Sequence, residues 1–324
     1  MQRTHPTMPV IDMHTHLGGL AVNEESLRSF DVLEQKRLLE SCGICKAVTL
    51  HLAWGDNYLK MKEKLSSAGD YFELFPSVDI YQVEEAGFDT MVYRTLRDYK
   101  ADGIKGLKLW KDITQKLRSK AGKVIRADSP LFKPIWSYSA EFSLPIVFHL
   151  GAQPSFFEPL TPDNEFYQDM IAHPEWNFAH PDMPSYEDHL DMHINLLEEN
   201  PQTPFVFPHV TGAVGDLKRI SQWMDRFPQM VVDISARVAQ LAQQSDVARD
   251  FFLKYSDRIM FGTDYSSEVE DVQTFYRGFY QYLDTRDMFI PPFEEGSEQY
   301  KGIGLPEDVL EKLYYSNSKR ILKL

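Results

Sequence analysis

Cysteine is scarce in this sequence, since only two of the 324 residues are cysteines. A disulfide framework needs several pairs, so this chain is not one of the small disulfide-stabilised folds. The two cysteines form the segment CGIC, Cys42 to Cys45, a spacing that also occurs in redox enzymes and zinc sites. The segment follows a helix-like stretch, which makes Gly43 a helix C-cap instead of part of a thiolate-activating turn. No second pair is present to complete a zinc site.

Long apolar runs and an excess of basic residues are also lacking. No run approaches the ~18–20 apolar residues that span a bilayer, and the first ten residues hold no apolar core of signal-peptide length. Acidic residues outnumber basic ones by 48 to 34, for a formal net charge of −14. Nucleic acids and anionic membranes are bound by clustered Lys and Arg, so neither is an expected partner. We expect a cytoplasmic protein that acts on a small molecule. The sequence leaves open whether it forms a homo-oligomer.

Apolar and aromatic residues, by contrast, are plentiful at 43% and 13% of the chain, and they recur in a regular order. The short apolar runs are PVIDMHTH, KAVTLHLAW, LFPSVDI, GIKGLKLW, LPIVFHLG, PFVFPHVTG, MVVDISA and RIMFGTD. Helix-patterned stretches such as 89–102, 186–200 and 214–227 lie between them. Buried strands that alternate with helices indicate a parallel sheet, and eight such units predict an α/β protein, a single (β/α)8 (TIM) barrel over residues 1–324. An open doubly wound sheet is the alternative, but no GxGxxG segment follows the first run.

Ionisable side chains stand at the ends of four of these runs. His14 and His16 end the first run, His149 the fifth, His209 the sixth and Asp264 the eighth. On an extended strand, residues two positions apart point the same way, so the first two histidines are expected side by side. The carboxyl ends of barrel strands meet on one face, where active sites lie. The five side chains therefore predict a metal or acid–base site.

These residues, in this order, resemble the pattern of the amidohydrolase superfamily. The segments GIKGLKLW, FPHVTGAVGDLKRI, FFLKYSDRIMFGTDY and LPEDVLEKLYYSNSKRIL resemble its amidohydrolase-related branch. That branch includes hydrolases, lactonases and metal-dependent decarboxylases of the aminocarboxymuconate-semialdehyde type. The resemblance covers roughly residues 8–324 and departs at Asn317-Ser318, where an Asn-Ala pair is usual.

The resemblance implies a site with one divalent metal ion, held by His14, His16, His149 and Asp264. Zn²⁺ suits three imidazoles and one carboxylate. Such an ion would lower the pKa of a water toward ~7, and Asp264 would accept the proton of that water. His209 would then act as general acid–base or polarise a substrate carbonyl. These roles predict hydrolysis of a C–N or C–O bond in a small carboxylated or cyclic substrate; loss of CO₂ from a carboxylated substrate and a barrel that only binds a ligand are the alternatives.

Lys108, at the end of the fourth run, makes a site with two metal ions an alternative. A strand-four lysine of this superfamily can be carbamylated and bridge two ions, with His149 and His209 holding the second. We expect Lys108 to be structural or to bind substrate instead. We expect His51, in the second run, to lie in the core or to contact the metal ligands from behind. The alternative is that it lies at the rim of the site and contacts the substrate.

The interval between the fifth and sixth runs, about residues 152–186, is rich in Phe, Trp, Pro and His. Long loops on this face commonly shape the substrate pocket. Trp176, with Phe156 and Phe157, is expected to wall a planar substrate, and Glu165 to bind its polar end. A separate apolar cluster packed against the barrel is the alternative.

Two further pairs of residues lie near this face. Asp233 and Arg237 follow the seventh run, and a guanidinium at that position is suited to clamp a substrate carboxylate, with a helix-surface ion pair as the alternative. His189 and His193 are four apart, but Leu190 stands where an HExxH motif has glutamate. We expect these two histidines on the surface.

Overall fold

The structure, a computed structural model, describes residues 5–293 and 298–324 as an alternation of strands and helices. The strands are β1 Val10–His16, β2 Ile44–Leu50, β3 Phe72–Phe75, β4 Leu107–Trp110, β5 Ile146–His149, β6 Phe205–Phe207, β7 Val231–Asp233, β8 Ile259–Met260, β9 Tyr265–Ser266, β10 Met288–Phe289 and β11 Tyr300–Lys301. The helices are α1 Val32–Ser41, α2 Gly55–Leu65, α3 Phe88–Ala101, α4 Asp112–Gln115, α5 Lys133–Phe142, α6 Tyr167–Ala172, α7 Tyr186–Glu199, α8 Leu217–Arg226, α9 Val238–Ala242, α10 Ser245–Lys254, α11 Val272–Asp284, α12 Glu307–Glu311 and α13 Asn317–Leu322. Every predicted apolar run contains strand residues, so the predicted α/β alternation is confirmed.

The parallel strands form two sheets that join into a barrel. One sheet has the order β3-β2-β1-β9 and the other β4-β5-β6-β7-β8. Backbone hydrogen bonds cross both seams: Met13 N donates to Phe261 O over 3.0 Å, and Lys108 N donates to Pro76 O over 2.7 Å. The predicted (β/α)8 barrel is confirmed, and the carboxyl ends of its strands share one face.

Apolar side chains fill the interior of the barrel. This inner cluster consists of Ile11, Met13, Val48, Leu50, Phe75, Val147, Val206, Val231, Met260 and Leu322. A larger cluster packs the outer faces of the strands against the helices. Both faces of the strands are thus buried, which explains why the strand sequences are continuously apolar. No helix of residues 5–293 or 298–324 combines the length and apolar character needed to cross a membrane.

An irregularity in β1 brings its histidines to the rim of the barrel. Ile11 and Met13 belong to the inner cluster, so strict alternation would turn His14 away from the interior. The pairing with β2 shifts register between Asp12 and Thr15. Such a bulge re-aims the side chains that follow it, and here it lets His14 and His16 face the site together.

The third strand lies earlier than its apolar run. The run LFPSVDI covers residues 74–80, whereas β3 is Phe72–Phe75. Pro76 has no N–H to continue the ladder, so pairing stops before it. Phe72 instead pairs with Ala47 of β2.

The CGIC segment ends helix α1, as predicted. Gly43 has φ of +85° and donates from N to Glu40 O over 3.0 Å, which is a C-terminal cap. Burial raises the pKa of Cys42 and that of Cys45, the opposite of what an activated thiolate needs.

The segment between β5 and β6 forms an apolar cluster of its own against the barrel. Its buried members are Ala152, Phe156, Met170 and Phe178. Phe157 packs on the ring of Phe178, with centroids 4.8 Å apart. The alternative of a separate cluster therefore holds, and some of its side chains also face the site, as described below.

His189 and His193 are buried, so the expectation that they lie on the surface is wrong. They lie on α7, one turn apart, with exposures of 1% and 0%. Phe157 covers His189 at 4.8 Å between ring centroids, and Phe207 of β6 packs on His193 at 4.8 Å. The inserted segment thus covers His189 and the barrel strand covers His193, neither of which follows from the local polarity of the helix.

These two histidines predict a pH-dependent stability. Burial lowers the pKa of both to about 4, whereas an unfolded chain protonates them below pH 6.5. The free energy of unfolding should therefore fall on acidification from pH 6.5 to about 4, by up to ~1.4 kcal/mol per pH unit and histidine. Urea unfolding of the His189→Gln/His193→Gln variant should show a shallower dependence than the parent chain. At pH 7.5–8.5 the free energies of unfolding of parent and variant should depend on pH in the same way. Equal slopes between pH 6.5 and about 4 would contradict the lowered pKa values of the two histidines.

Candidate active site

Three electron-pair donors converge at the carboxyl end of the barrel. His14 Nε2 lies 3.2 Å from His16 Nε2, and Asp264 Oδ1 lies 3.2 Å from each of these nitrogens. The histidines come from β1 and the aspartate from the break between β8 and β9. The structure therefore brings together side chains that the strand-end pattern predicted to meet.

The hydrogen bonds of the other ring nitrogens determine which tautomers these histidines adopt. His14 Nδ1 donates to Asp233 Oδ2 over 2.9 Å, and His16 Nδ1 donates to the carbonyl of Leu50 over 2.8 Å. In the neutral rings both Nε2 atoms then carry lone pairs. Two lone pairs and a carboxylate oxygen at 3.2 Å repel one another unless a proton or a metal ion lies between them. This donor set fits a divalent metal ion, whose histidine ligands are oriented by such outer hydrogen bonds.

The charged groups of the site shift one another's pKa values. Burial opposes ionisation of Asp264, but the nearby histidines outweigh it and hold the pKa of Asp264 well below its usual value. Burial lowers the pKa of His16, and it lowers the pKa of His209 to about 3. For His14, the charges of Asp264 and Asp233 outweigh burial and raise the pKa.

His209 and His149 complete the arrangement. His209 Nδ1 donates to the carbonyl of Ser235 over 2.9 Å, and its Nε2 lies 3.3 Å from His149 Nδ1. His209 also lies close to two of the three donors, since ligand atoms of His14, His209 and Asp264 all lie within 4.8 Å of one another. His149 touches this group through His209. The geometry thus brings His209, predicted as acid–base, nearer to the donors than His149, predicted as ligand.

Two stretches of unusual backbone present these side chains. Asp264 has φ of +67°, between β8 and β9, and its N donates to His14 O over 2.9 Å. His209, Val210 and Thr211 are consecutive residues with φ of 58°, 49° and 63°. Left-handed backbone is costly for such residues and persists only where the surroundings enforce it.

Gly151 supplies part of that enforcement. A Cβ at this position would lie 1.9 Å from Thr211 O, so only glycine lets the loop after β5 approach the turn after β6. Gly215, on the same loop as that turn, has open space where its Cβ would be.

Replacing Gly151 should therefore disturb the site. Gly151→Ala should lower the free energy of unfolding by about 1–3 kcal/mol, the usual cost of overpacking. It should also weaken divalent-ion binding, because the clash with Thr211 O displaces the loop that carries His149, two residues before Gly151. Gly215→Ala is the matched control and should change neither. Urea unfolding and ion-binding titration measure both effects; a Gly151→Ala protein as stable as its parent would contradict this account.

A cavity of about 290 Å³ opens above the donors. It is lined by Lys111, His149, Ala152, Gln153, Phe156, Phe166, Asp169, Trp176, His209, Ala236, Arg237, Ala239, Gln240, Asp264, Pro292 and Phe293. A larger cavity of about 440 Å³, bordered by His5, Tyr280 and Tyr314, contains none of the predicted site residues. The chemistry of the donors, not cavity size, identifies the smaller one as the candidate active site.

The predicted substrate-binding residues divide between cavity and surroundings. Trp176 and Arg237 line the cavity. Glu165 is exposed and borders an adjoining groove, where it accepts a hydrogen bond from Ser155 Oγ over 3.2 Å. Phe156 lines the cavity, whereas Phe157 packs on α7.

Lys108 and His51 lie beneath the site. Lys108 is fully buried, and among the described residues its Nζ has no hydrogen-bond partner. Burial lowers the pKa of Lys108 to about 8, against the pull of Asp264 and Asp233. The lysine does not border the cavity, so a direct substrate contact is not what the geometry favours. His51 is buried and bonds Thr49 Oγ1 through Nε2 at 2.8 Å, as expected of a core histidine.

Other polar residues of the site were not assigned roles from the sequence. The sequence pattern indicates only that Asp233 shares this face, and it assigns no role to Ser235 or Lys111. Lys111 directly follows β4, so the strand-end rule that found the histidines would also have found it.

Clustered histidine and aspartate donors at the strand ends of a (β/α)8 barrel are typical of metal-dependent enzymes. A family model described as Amidohydrolase matches residues 65–324, and the chain belongs to this family, whose members are metal-dependent enzymes. Comparison with curated proteins found no match.

Solved structures of the same fold include decarboxylases and a hydrolase. The 2,6-dihydroxybenzoate decarboxylase from Rhizobium is 16% identical, with a TM-score of 0.60 over 98% of this chain and 99% of that one. The 5-carboxyvanillate decarboxylase from Novosphingobium aromaticivorans, solved with manganese and 4-hydroxy-3-methoxy-5-nitrobenzoic acid, is 12% identical, with a TM-score of 0.55 over 98% and 97%. A dihydroorotase from Campylobacter jejuni is 14% identical, with a TM-score of 0.54 over 100% and 86%. At these identities the likeness concerns the fold.

Proposed function

We propose that this chain is a metal-dependent hydrolase that cleaves a C–N or C–O bond in a small, planar, carboxylated substrate. The observation that carries the proposal is the convergence of His14 Nε2, His16 Nε2 and Asp264 Oδ1 at 3.2 Å, with both imidazole tautomers determined by outer hydrogen bonds. One divalent ion, with Zn²⁺ suited to these ligands, would bind there. When bound, such an ion makes water acidic enough to be a nucleophile near neutral pH.

Asp264 is suited to be the base. Its side chain is 27% exposed and borders the cavity, so it reaches both the donors and a water beside the substrate. Burial opposes its ionisation, but the nearby histidines hold its pKa below the usual value and keep it ionised at neutral pH. A bound ion would lower the pKa of the attacking water toward that of this carboxylate, which would make the proton transfer possible.

His209 is suited to be the second acid–base group or a ligand. Its Nδ1–H donates a hydrogen bond to the carbonyl of Ser235, so the atom that can react at the site is Nε2, through its lone pair. We propose that His209 is the acid–base group and His149 a metal ligand. The opposite assignment is the alternative, because His209 lies within 4.8 Å of the ligand atoms of His14 and Asp264.

The cavity walls support a planar, anionic substrate. Phe156, Phe166 and Trp176 present aromatic faces, and Arg237 supplies a guanidinium beside them. A guanidinium binds a carboxylate through two parallel hydrogen bonds, which orients the substrate toward the donors at the floor.

Decarboxylation is a second candidate, favoured by a specific observation. Two cations, Lys111 and Arg237, border the aromatic cavity, as a carboxylated aromatic substrate would require. Two of the similar structures are named as decarboxylases of aromatic acids. The same donors would hold the ion, and a protonated side chain would deliver a proton to the carbon that loses CO₂.

Metal content tests the donor assignment. Protein prepared without chelator should hold close to one divalent ion per chain, and His14→Ala and Asp264→Ala should lose it because each removes one of the converging donors. His149→Ala should lose it as well, whereas His209→Asn should keep it. Elemental analysis of folded variants measures this. Retention by both His14→Ala and Asp264→Ala would refute the site, and loss in His209→Asn alone would exchange the roles of the two histidines.

Product analysis separates the reactions. The metal-loaded protein should hydrolyse a member of a panel of lactones, amides and carboxylated aromatic compounds, with a new acid as product and no CO₂. His209→Asn should then turn over ~10²–10⁴-fold more slowly while binding substrate nearly normally, because it loses an acid–base group. Release of CO₂ would establish decarboxylation instead. Binding without turnover by the metal-loaded chain would favour a ligand-binding barrel.

A further inference from the structure

Lys111 lies inside a box of aromatic rings at the wall of the cavity. Its Nζ is 5.3–5.5 Å from the ring centroids of Trp110, Phe156, Trp176 and Phe178, which we call the aromatic cage. Trp110 ends β4, and the other three rings come from the segment between β5 and β6. The lysine is only 3% exposed, yet it borders the cavity. The cage therefore holds an ammonium group at one fixed place in the wall.

The Lys111 ammonium has no paired anion within residues 5–293 and 298–324. Glu175 and Asp264 attract it only at a distance, without a hydrogen bond or ion pair to its Nζ. Arg237 lines the same cavity, and its Nη1 donates a hydrogen bond to the carbonyl of Ala236 over 2.5 Å. Its buried Nε has no partner among the described residues. Among the described residues, the acidic side chains that border the cavity are Asp264, which contacts the histidines, and the exposed Asp169. Glu165 attracts Arg237 only at a distance.

Such a pair of cations is costly without an anion. Burial, and then the charge of Arg237, lowers the pKa of Lys111 to about 7. Cation–π contacts with the aromatic faces compensate for part of the hydration that Lys111 loses on burial. Among the described residues, however, the buried Arg237 Nε makes no hydrogen bond, and a charged donor gains most from an ionised acceptor.

We infer that Lys111 and Arg237 form a two-cation site that selects small planar substrates with two acidic groups, such as a dicarboxylate. The inference deepens the proposed function, since it concerns the substrate of the same cavity. Aromatic rings of the cage bound the planar part of the substrate, and each cation takes one anionic group. A cavity of about 290 Å³ is at the small end of small-molecule sites, so the two groups must be close together.

A purely structural role for Lys111 makes a different prediction. In that case the ammonium only fastens the segment between β5 and β6 to the barrel through its aromatic contacts. Removing it would then alter stability and the binding of all ligands alike. A selective role instead changes binding according to the number of charges on the ligand.

The test is a binding titration with isophthalate, benzoate and benzamide, which share one ring and carry two, one and no negative charges. Tryptophan fluorescence is the readout, because Trp110 and Trp176 flank Lys111. The metal-loaded protein should prefer isophthalate to benzoate, and Lys111→Met should lower the isophthalate affinity about 10- to 100-fold, the range of a charge-assisted hydrogen bond. Benzamide binding should stay within about twofold. The metal ion is the same in all three titrations, so the ratio of the affinities for the three ligands reports the contribution of Lys111 and Arg237.

Lys116→Met is the matched control. Lys116 Nζ also lies over Trp110, at 5.5 Å, but its side chain is exposed and does not border the cavity. This variant should retain the preference for isophthalate.

The outcomes decide the inference without turnover data. A parent protein with no preference for isophthalate, or a folded Lys111→Met variant that keeps it, would overturn the inference. Should Lys111→Met fail to fold, Arg237→Gln decides in its place, since it must also abolish the preference. Neither result depends on which bond is cleaved, so failure to find hydrolysis leaves the binding result intact, and loss of the inference leaves the metal site intact.

Discussion

The site depends on one buried carboxylate, that of Asp233 at the end of β7. Its Oδ2 accepts the Nδ1–H of His14 over 2.9 Å, and its Oδ1 accepts the backbone N–H of His209 over 2.9 Å. Ser235 N and Oγ also donate to Oδ1. Burial opposes its ionisation, but His14 and these hydrogen bonds hold the pKa of Asp233 near 2. A single charge thereby determines the tautomer of one histidine and holds the backbone that presents another.

A second carboxylate secures the other side of the donors. Asp12 accepts the backbone N–H groups of His14 and Thr263 through Oδ1, and the hydroxyls of Thr263 and Tyr276 through Oδ2. These bonds tie β1 to the turn that carries Asp264. Negative charge is therefore concentrated at the floor of the cavity, where a metal ion would be held, while the cations Lys111 and Arg237 lie on its walls. This separation would orient a substrate with its acidic groups at the wall and its reactive bond at the floor.

The sequence allowed the barrel and the donors to be predicted because both follow from local rules. Buried parallel strands have continuous apolar runs, and their ends converge whatever the helices do. His14, His16 and Asp264 could thus be predicted to meet without any knowledge of packing. By contrast, the burial of His189 and the cage around Lys111 depend on where the segment between β5 and β6 folds back, and no local pattern contains that information. The position of Glu165 at the adjoining groove depends on the same segment, and its predicted contact with substrate stays a prediction.

The most direct measurement of the central claim is anomalous X-ray diffraction from crystals soaked in a zinc or manganese salt. The account predicts one strong anomalous peak about 2.0–2.2 Å from His14 Nε2, His16 Nε2 and an Asp264 oxygen, with the Nδ1 contacts of both histidines unchanged. A well-ordered site without such a peak at saturating metal, or a peak that is bound to other side chains while these three remain free, would contradict it.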